Sequence, residues 1–320
     1  MKGRITMILI SAMLLGLTGC HAPADTAVTQ TAFVTETQTY QENTTASPMP
    51  TGTTEAPQTL PPETQTTLAQ SPEPEEDAFV RVADYLPGVL QELPYATVDN
   101  FTGHTIYGFS EVYLRYGTVK KLSAVCGELS EQGLSLKIWD GFRPVSAQFK
   151  LWEVCPNDTY VANPNIGFSA HSRGNTVDVT LVDMAGNELE MPTGFDDFTA
   201  MADRDYSEVP EIPKEHALLL QNTMEKYGFK GYFGEWWHFQ DSQSYPVEKE
   251  FEPVEEARYR ADCQEYINLR TQPDSGAKSI AQIPRGGEFT VVAVSGEFAL
   301  AQYQGLRGYV HRGYIQPVEE

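Results

Sequence analysis

The chain has 320 residues, with 22 basic and 44 acidic side chains and a formal net charge of −22. That balance excludes sequence-independent nucleic-acid binding, which needs clustered Lys and Arg, and docking of a basic patch on anionic lipid. The four cysteines, Cys20, Cys126, Cys155 and Cys263, contain no CxxC element, which argues against a structural cysteine–zinc site.

Residues 1–20 read MKGRITMILISAMLLGLTGC. Lys2 and Arg4 precede an uncharged, mostly apolar run that is too short to span a bilayer and has the flanks of a secretory signal. The ending Leu17-Thr18-Gly19-Cys20 resembles the lipobox of bacterial lipoproteins. The resemblance implies cleavage before Cys20, lipidation of its sulfur, and an exported chain held on the outer face of the bacterial cytoplasmic membrane. Acyl chains contribute about 0.8 kcal/mol per buried methylene, so two or three of them anchor stably. Residues 21–77 hold nine acidic residues and no Lys or Arg, with Phe33 and Tyr40 the only aromatics. Such a stretch cannot bury enough apolar surface to offset its ordering entropy, and it reads as a disordered Thr/Pro-rich stalk. With Cys20 lipidated an odd number of cysteines remains, and a Cys126–Cys155 bridge stays open.

Residues 78–250 mix helix and strand signals. Leu114, Val119, Leu122, Val125 and Leu129 give residues 112–129 helical spacing. Residues 134–139, LSLKIW, alternate like a strand. Residues 145–154 read as a helix with Pro144 suited to its first turn. Residues 177–181 read as a strand, 216–227 as a helix capped by Gly228, and 233–239 as an aromatic strand. Without regular βαβ alternation the class is α+β. Residues 256–318 differ, with short strands between turn signals. Asn268-Leu269-Arg270, Pro273, the run Ile283-Pro284-Arg285-Gly286 and Gly308-Tyr309-Val310 with Tyr314 resemble bacterial SH3-like domains. That resemblance implies a small all-β barrel, often a cell-wall binding module.

The chemistry concentrates in residues 169–181, SAHSRGNTVDVTL, together with WDGFRP at 139–144, EWWHF at 235–239 and LPYATVDNFTG at 93–103. Alone, the first stretch reads as a surface loop entering a strand. Catalytic zinc takes three protein ligands and leaves one position for water. His171, Asp178 and His238 would supply two imidazoles and a carboxylate, and Glu235 a proton acceptor. Residues i and i+3 point to opposite faces of a regular strand, so Glu235 and His238 require a bend or bulge, for which Gly234 is suited.

Together these stretches resemble the zinc D-alanyl-D-alanine dipeptidases within the larger D,D-peptidase family, whose hedgehog-like α+β fold is expected here. The family pattern SxHxxGxAxD followed by ExxH stands as Ser169, His171, Gly174, Thr176 in place of alanine, Asp178, then Glu235 and His238. The resemblance implies one catalytic Zn2+ on His171, Asp178 and His238. It also implies Glu235 as general base toward metal-activated water, and Arg143 as the cation that stabilises the oxyanion. Ser169 matches a substrate-carboxylate binder. Tyr95 and Asp196 match residues near the substrate ammonium, with Asp197 a rival one position on. The implied substrate is D-Ala-D-Ala. Trimming of peptidoglycan stem peptides by a D,D-carboxypeptidase is the alternative, and a non-catalytic wall-binding lipoprotein a more distant one.

Overall fold

The structure is a computed structural model that describes residues 72–319. The signal peptide with Cys20, and the stalk before residue 72, lie outside the described residues. The elements in chain order are β1 (Phe79–Arg81), β2 (Leu90–Gln91), β3 (Tyr113–Arg115), α1 (Tyr116–Ser130), β4 (Leu134–Asp140), α2 (Val145–Val154), β5 (Thr176–Asp183), α3 (Glu211–Lys226), β6 (Phe229–Tyr232) and β7 (Glu235–Asp241). Then follow β8 (Phe251–Ala261), β9 (Tyr266–Arg270), β10 (Ser279–Pro284), β11 (Glu288–Ser295), β12 (Phe298–Tyr303), β13 (Leu306–His311) and β14 (Ile315–Pro317).

The first domain is built on a five-stranded sheet in the order β2-β4-β5-β7-β6. Only β2 and β4 run parallel. Val119, Leu122, Val125 and Leu129 of α1 and Leu220 and Met224 of α3 share one buried core with Val177, Val179 and Leu181 of β5. Strand alternation then turns Asp178 to the opposite face, away from the helices. The fold is thus α+β, as its residue pattern indicates. A seven-stranded antiparallel sheet in the order β10-β9-β13-β12-β11-β8-β14 forms the C-terminal all-β domain. Its core is Ile267, Leu269, Ile283, Phe289, Val291 and Val310.

Several boundaries differ from the sequence reading. The helix expected from residue 112 starts at Tyr116, because Tyr113–Arg115 pairs with Phe79–Arg81 as a strand. Helix α3 begins at Glu211, five residues before the expected start, with Pro213 tolerated in its first turn. Residues 72–77, assigned to the stalk, pack on the folded domain. Glu76 O accepts from Gly117 N at 2.9 Å, and Tyr116 donates to Glu73 at 3.0 Å. The C-terminal sheet starts at Phe251 rather than residue 256, since β8 is one continuous strand paired with both β11 and β14. Cys126, Cys155 and Cys263 are free thiols, so the 126–155 bridge is absent. Burial pushes the Cys126 thiol up to about 12. Among the described residues no helix is long and apolar enough to cross a membrane.

The two domains meet through a shared aromatic core. Phe79, Tyr113 and Phe142 of the first domain pack with Phe251, Val292, Leu300 and Tyr309 of the second. Phe79 stacks on Phe251 with ring centroids 4.4 Å apart.

Candidate active site

The site forms where the end of β4, the start of β5 and the middle of β7 meet the loop that precedes β5. Asp178 on β5 and His238 on β7 are directly opposite each other in the ladder, so both project from the same face. His171 arrives from the short 3-10 turn Ala170–Arg173. Ser169 caps that turn, its Oγ accepting from His171 N at 3.3 Å. Gly174 closes it at φ 75°, where a side chain would also overlap the Phe79 ring.

These elements converge three ligand-type side chains. One donor atom each from His171, Asp178 and His238 lies within 4.8 Å of the others. His171 Nδ1 is 2.8 Å from the Gly141 carbonyl, which can only accept, so the proton sits on Nδ1 and the Nε2 lone pair faces inward. That Nε2 is 3.4 Å from Asp178 Oδ2 and 3.3 Å from His238 Nδ1. His238 Nδ1 lies 3.0 Å from Asp178 Oδ1, yet this buried oxygen accepts no hydrogen bond. Two inward nitrogens and an unsatisfied buried carboxylate oxygen suit a cation at their centre, and the donor set suits zinc. Burial opposes charge on His171, but Asp178 and Asp140 outweigh it and raise its pKa. Burial likewise opposes the Asp178 carboxylate, and the two histidines overcome it and hold its pKa low.

Glu235 Oε2 stands 3.4 Å from His238 Nδ1. The bend that this requires is present. The β6–β7 register slips between Gly231 and Tyr232, so that Tyr232 faces Glu235. Burial raises the Glu235 pKa, with His238 opposing and the Asp178 charge adding to the rise.

Arg143 is 8% exposed and held on three sides. Nε donates to Tyr107 Oη at 3.2 Å, Nη1 to Gln148 at 3.1 Å and Nη2 to Asp140 Oδ2 at 2.6 Å. Two of its five N–H groups are left for another acceptor. Its backbone N donates to His171 O at 3.3 Å, which ties WDGFRP to the histidine turn. Tyr95 donates to Asp196 Oδ2 at 2.8 Å. Burial lifts the Asp196 carboxyl to about 7, against the Tyr95 hydrogen bond and with the Asp178 and Glu235 charges adding to the rise. Asp197 instead accepts from Thr199 N at 3.1 Å, a local turn contact. Of the two rivals, Asp196 is the one joined to Tyr95.

Sequence reasoning passed over Asp140, although it stands in WDGFRP. It is fully buried, accepts from Tyr107 at 2.7 Å and from Arg143, and lies 3.7 Å from His171 Nδ1. A one-residue bulge at Trp139 shifts the β4–β5 register so that Asp140 faces Asp178. Arg204 was also missed. It donates to the carbonyls of Trp236 and His238 at 3.0 and 2.9 Å and fixes the backbone of β7.

The His171, Asp178 and His238 donor set is that of a metal-dependent hydrolase. The chain belongs to the D-ala-D-ala dipeptidase family, whose profile matches residues 75–256, and a bacterial SH3 domain profile matches residues 265–316. It is 38% identical over 171 residues to the D-alanyl-D-alanine dipeptidase of Escherichia coli, covering 53% of this chain and 88% of that one. Its identity to the enzyme of the same name from Streptomyces coelicolor is 33% over 183 residues, covering 50% of this chain and 90% of the relative. The Enterococcus faecalis enzyme of that name is 33% identical over 189 residues, covering 51% and 91%. The family is one of zinc metallopeptidases, and the present chain is one of its D,D-peptidases, with a His/Asp/His group that fits the metal.

Proposed function

We propose that the protein hydrolyses the free dipeptide D-Ala-D-Ala at a zinc centre held by His171, Asp178 and His238. The observation that carries the reading is the convergence of three inward donor atoms within 4.8 Å, with an unsatisfied Asp178 oxygen among them. When bound, zinc supplies Lewis acidity toward the scissile carbonyl and toward water. Glu235 takes the proton of the attacking water and returns it to the leaving amine. Burial raises its pKa, which strengthens it as a proton acceptor. Arg143 offers its two remaining N–H groups to the oxyanion, and Asp140, Gln148 and Tyr107 fix it so that little reorganisation is needed. Ser169 Oγ already accepts from His171 N, so its own proton is available to the substrate carboxylate.

Asp196 and Tyr95 would receive the substrate ammonium. When the amine is acylated the buried carboxylate loses its charge-assisted partner and keeps only the Tyr95 hydrogen bond, which costs roughly 1.5–3 kcal/mol, or about 10- to 100-fold in discrimination. N-acetyl-D-Ala-D-Ala should therefore show a lower kcat/KM than D-Ala-D-Ala by that factor, and Asp196→Asn should narrow the gap by weakening the free dipeptide. Equal cleavage of both would replace this reading with carboxypeptidase action on stem peptides. The C-terminal domain favours a wall setting. An open groove of about 1130 Å³, lined by Tyr266, Asn268, Arg270, His311 and Tyr314 among others, is available there for a wall polymer. The LTGC motif supports a lipid anchor at Cys20, which would keep the enzyme at the membrane beneath the wall.

A further inference from the structure

We propose that Arg115, acting with Glu248, is a positioning residue that clasps the histidine-bearing turn to the junction between the two domains. Arg115 is the last residue of β3 and is 7% exposed. Its guanidinium reaches three different chain segments. Nε donates to Arg173 O at 3.1 Å, Nη1 to Asp77 O at 2.6 Å and Nη2 to Glu248 Oε2 at 3.2 Å. Its own backbone N donates to Gly174 O at 2.8 Å, and Glu248 N donates to Ser172 O at 2.8 Å. The three carbonyls that follow His171 are therefore all held by this one pair of residues. The other oxygen of Glu248, Oε1, accepts from the backbone N of Lys249, Glu250 and Phe251 at 3.0, 2.9 and 3.2 Å. Glu248 thus shapes the turn that launches β8.

The guanidinium also lies 4.0 Å above the Phe79 ring, which stacks on Phe251 and fills the space beside Gly174. The placement of the C-terminal domain is in this way transmitted to the turn that carries His171. A planar guanidinium spreads its donors over three nitrogens and serves three separated acceptors, whereas a lysine gathers its three donors on one nitrogen. Loosening the guanidinium takes the donor from Arg173 O and leaves the turn held only through the backbone donors to Ser172 O and Gly174 O, so the turn loses its single position. Catalytic geometry is sensitive to displacements well below 1 Å, so the consequence falls on ligation and turnover more than on substrate affinity.

This inference rests on His171 as a zinc ligand, and the test separates the two. Arg115→Lys and Glu248→Gln are made in the full chain. Glu248→Gln is the sharper variant, because an amide cannot serve both the three backbone N–H groups and the guanidinium. A third variant, Val291→Ala, lowers stability through the core of the C-terminal sheet without touching the clasp. Zinc affinity is measured by competition with a chelator, and amide hydrogen exchange is followed in residues 169–174. Both clasp variants should bind zinc roughly tenfold more weakly. They should also exchange faster in that turn, and lose kcat with KM for D-Ala-D-Ala nearly unchanged. Val291→Ala should show none of these at equal loss of stability. Unchanged zinc affinity and turn exchange in both clasp variants would overturn the proposal, as would equal effects in Val291→Ala. If the wild-type chain bound no zinc, the ligand assignment would fail, and exchange in residues 169–174 would still decide the clasp.

Discussion

At the scale of single residues, the proposed chemistry is divided between two carboxylates. Glu235 stands 3.4 Å from His238 Nδ1 and outside the trio of converging donors, and in the proposed mechanism it takes the proton and not the metal. Glu235→Gln should therefore retain zinc and lose turnover by roughly 100-fold or more. Loss of zinc in that variant would make Glu235 a ligand. Asp196 carries a folded-state pKa near 7, well above its value in an unfolded chain. Between those two values the folded protein binds more protons than the unfolded one, so this group's contribution to stability is complete at low pH and is lost as pH rises through about 7. In zinc-free protein, Asp196→Asn should raise the denaturant midpoint relative to wild type at pH 8, and the gain should vanish near pH 4. A gain of the same size at both pH values would contradict the burial of an ionisable group there. Asp140 illustrates what one residue can hide. Its role depends on a bulge at Trp139 that no alternation in the sequence reveals.

The turn before β5 is the critical element. Gly174 stands at φ 75° and faces the Phe79 ring. Gly174→Ala should destabilise the protein by about 1–3 kcal/mol and weaken zinc binding, both readable from denaturant midpoints with and without the metal. An alanine variant with wild-type midpoints would mean that the turn tolerates a side chain. This element was legible in the sequence because its residues are local. Ser169, His171, Gly174 and Asp178 lie within one turn and one strand; alone they read as a surface loop entering a strand, and WDGFRP, EWWHF and the family pattern they complete turn that reading into a metal loop. Helix α2 was equally plain, since Pro144 marks its start and its apolar spacing is short and regular. The N-terminal part of α3 was obscured by Pro213, which is compatible with a first turn but signals a break when read alone. Strand β3 was lost inside a helical periodicity because Leu114 falls in register with α1, and only pairing with β1 distinguishes it. The partners of Arg115 lie 38, 58 and 133 positions away, beyond any local pattern.

For the whole molecule, the structure joins the two domains more closely than a tethered module requires. A chain ending at residue 250 would expose Phe79, Tyr113 and Phe142, side chains that each contribute about 1.5–3 kcal/mol when buried. Its peptidase domain should unfold at a lower temperature than in the full chain, and an unchanged transition would make the C-terminal domain a mere appendage. At the other end, Cys20→Ser should release the protein from the membrane fraction or leave its precursor unprocessed. Normal processing with membrane association intact would refute the anchor. Stalk, peptidase and wall-facing domain would then act in one place, with the dipeptide as substrate. The central claim is the zinc centre of His171, Asp178 and His238. Zinc content per chain, measured in purified wild type and in His171→Ala, tests it most directly. The account predicts one zinc in the wild type and loss of that zinc in the variant, whereas a His171→Ala protein that kept a full complement of zinc would contradict it.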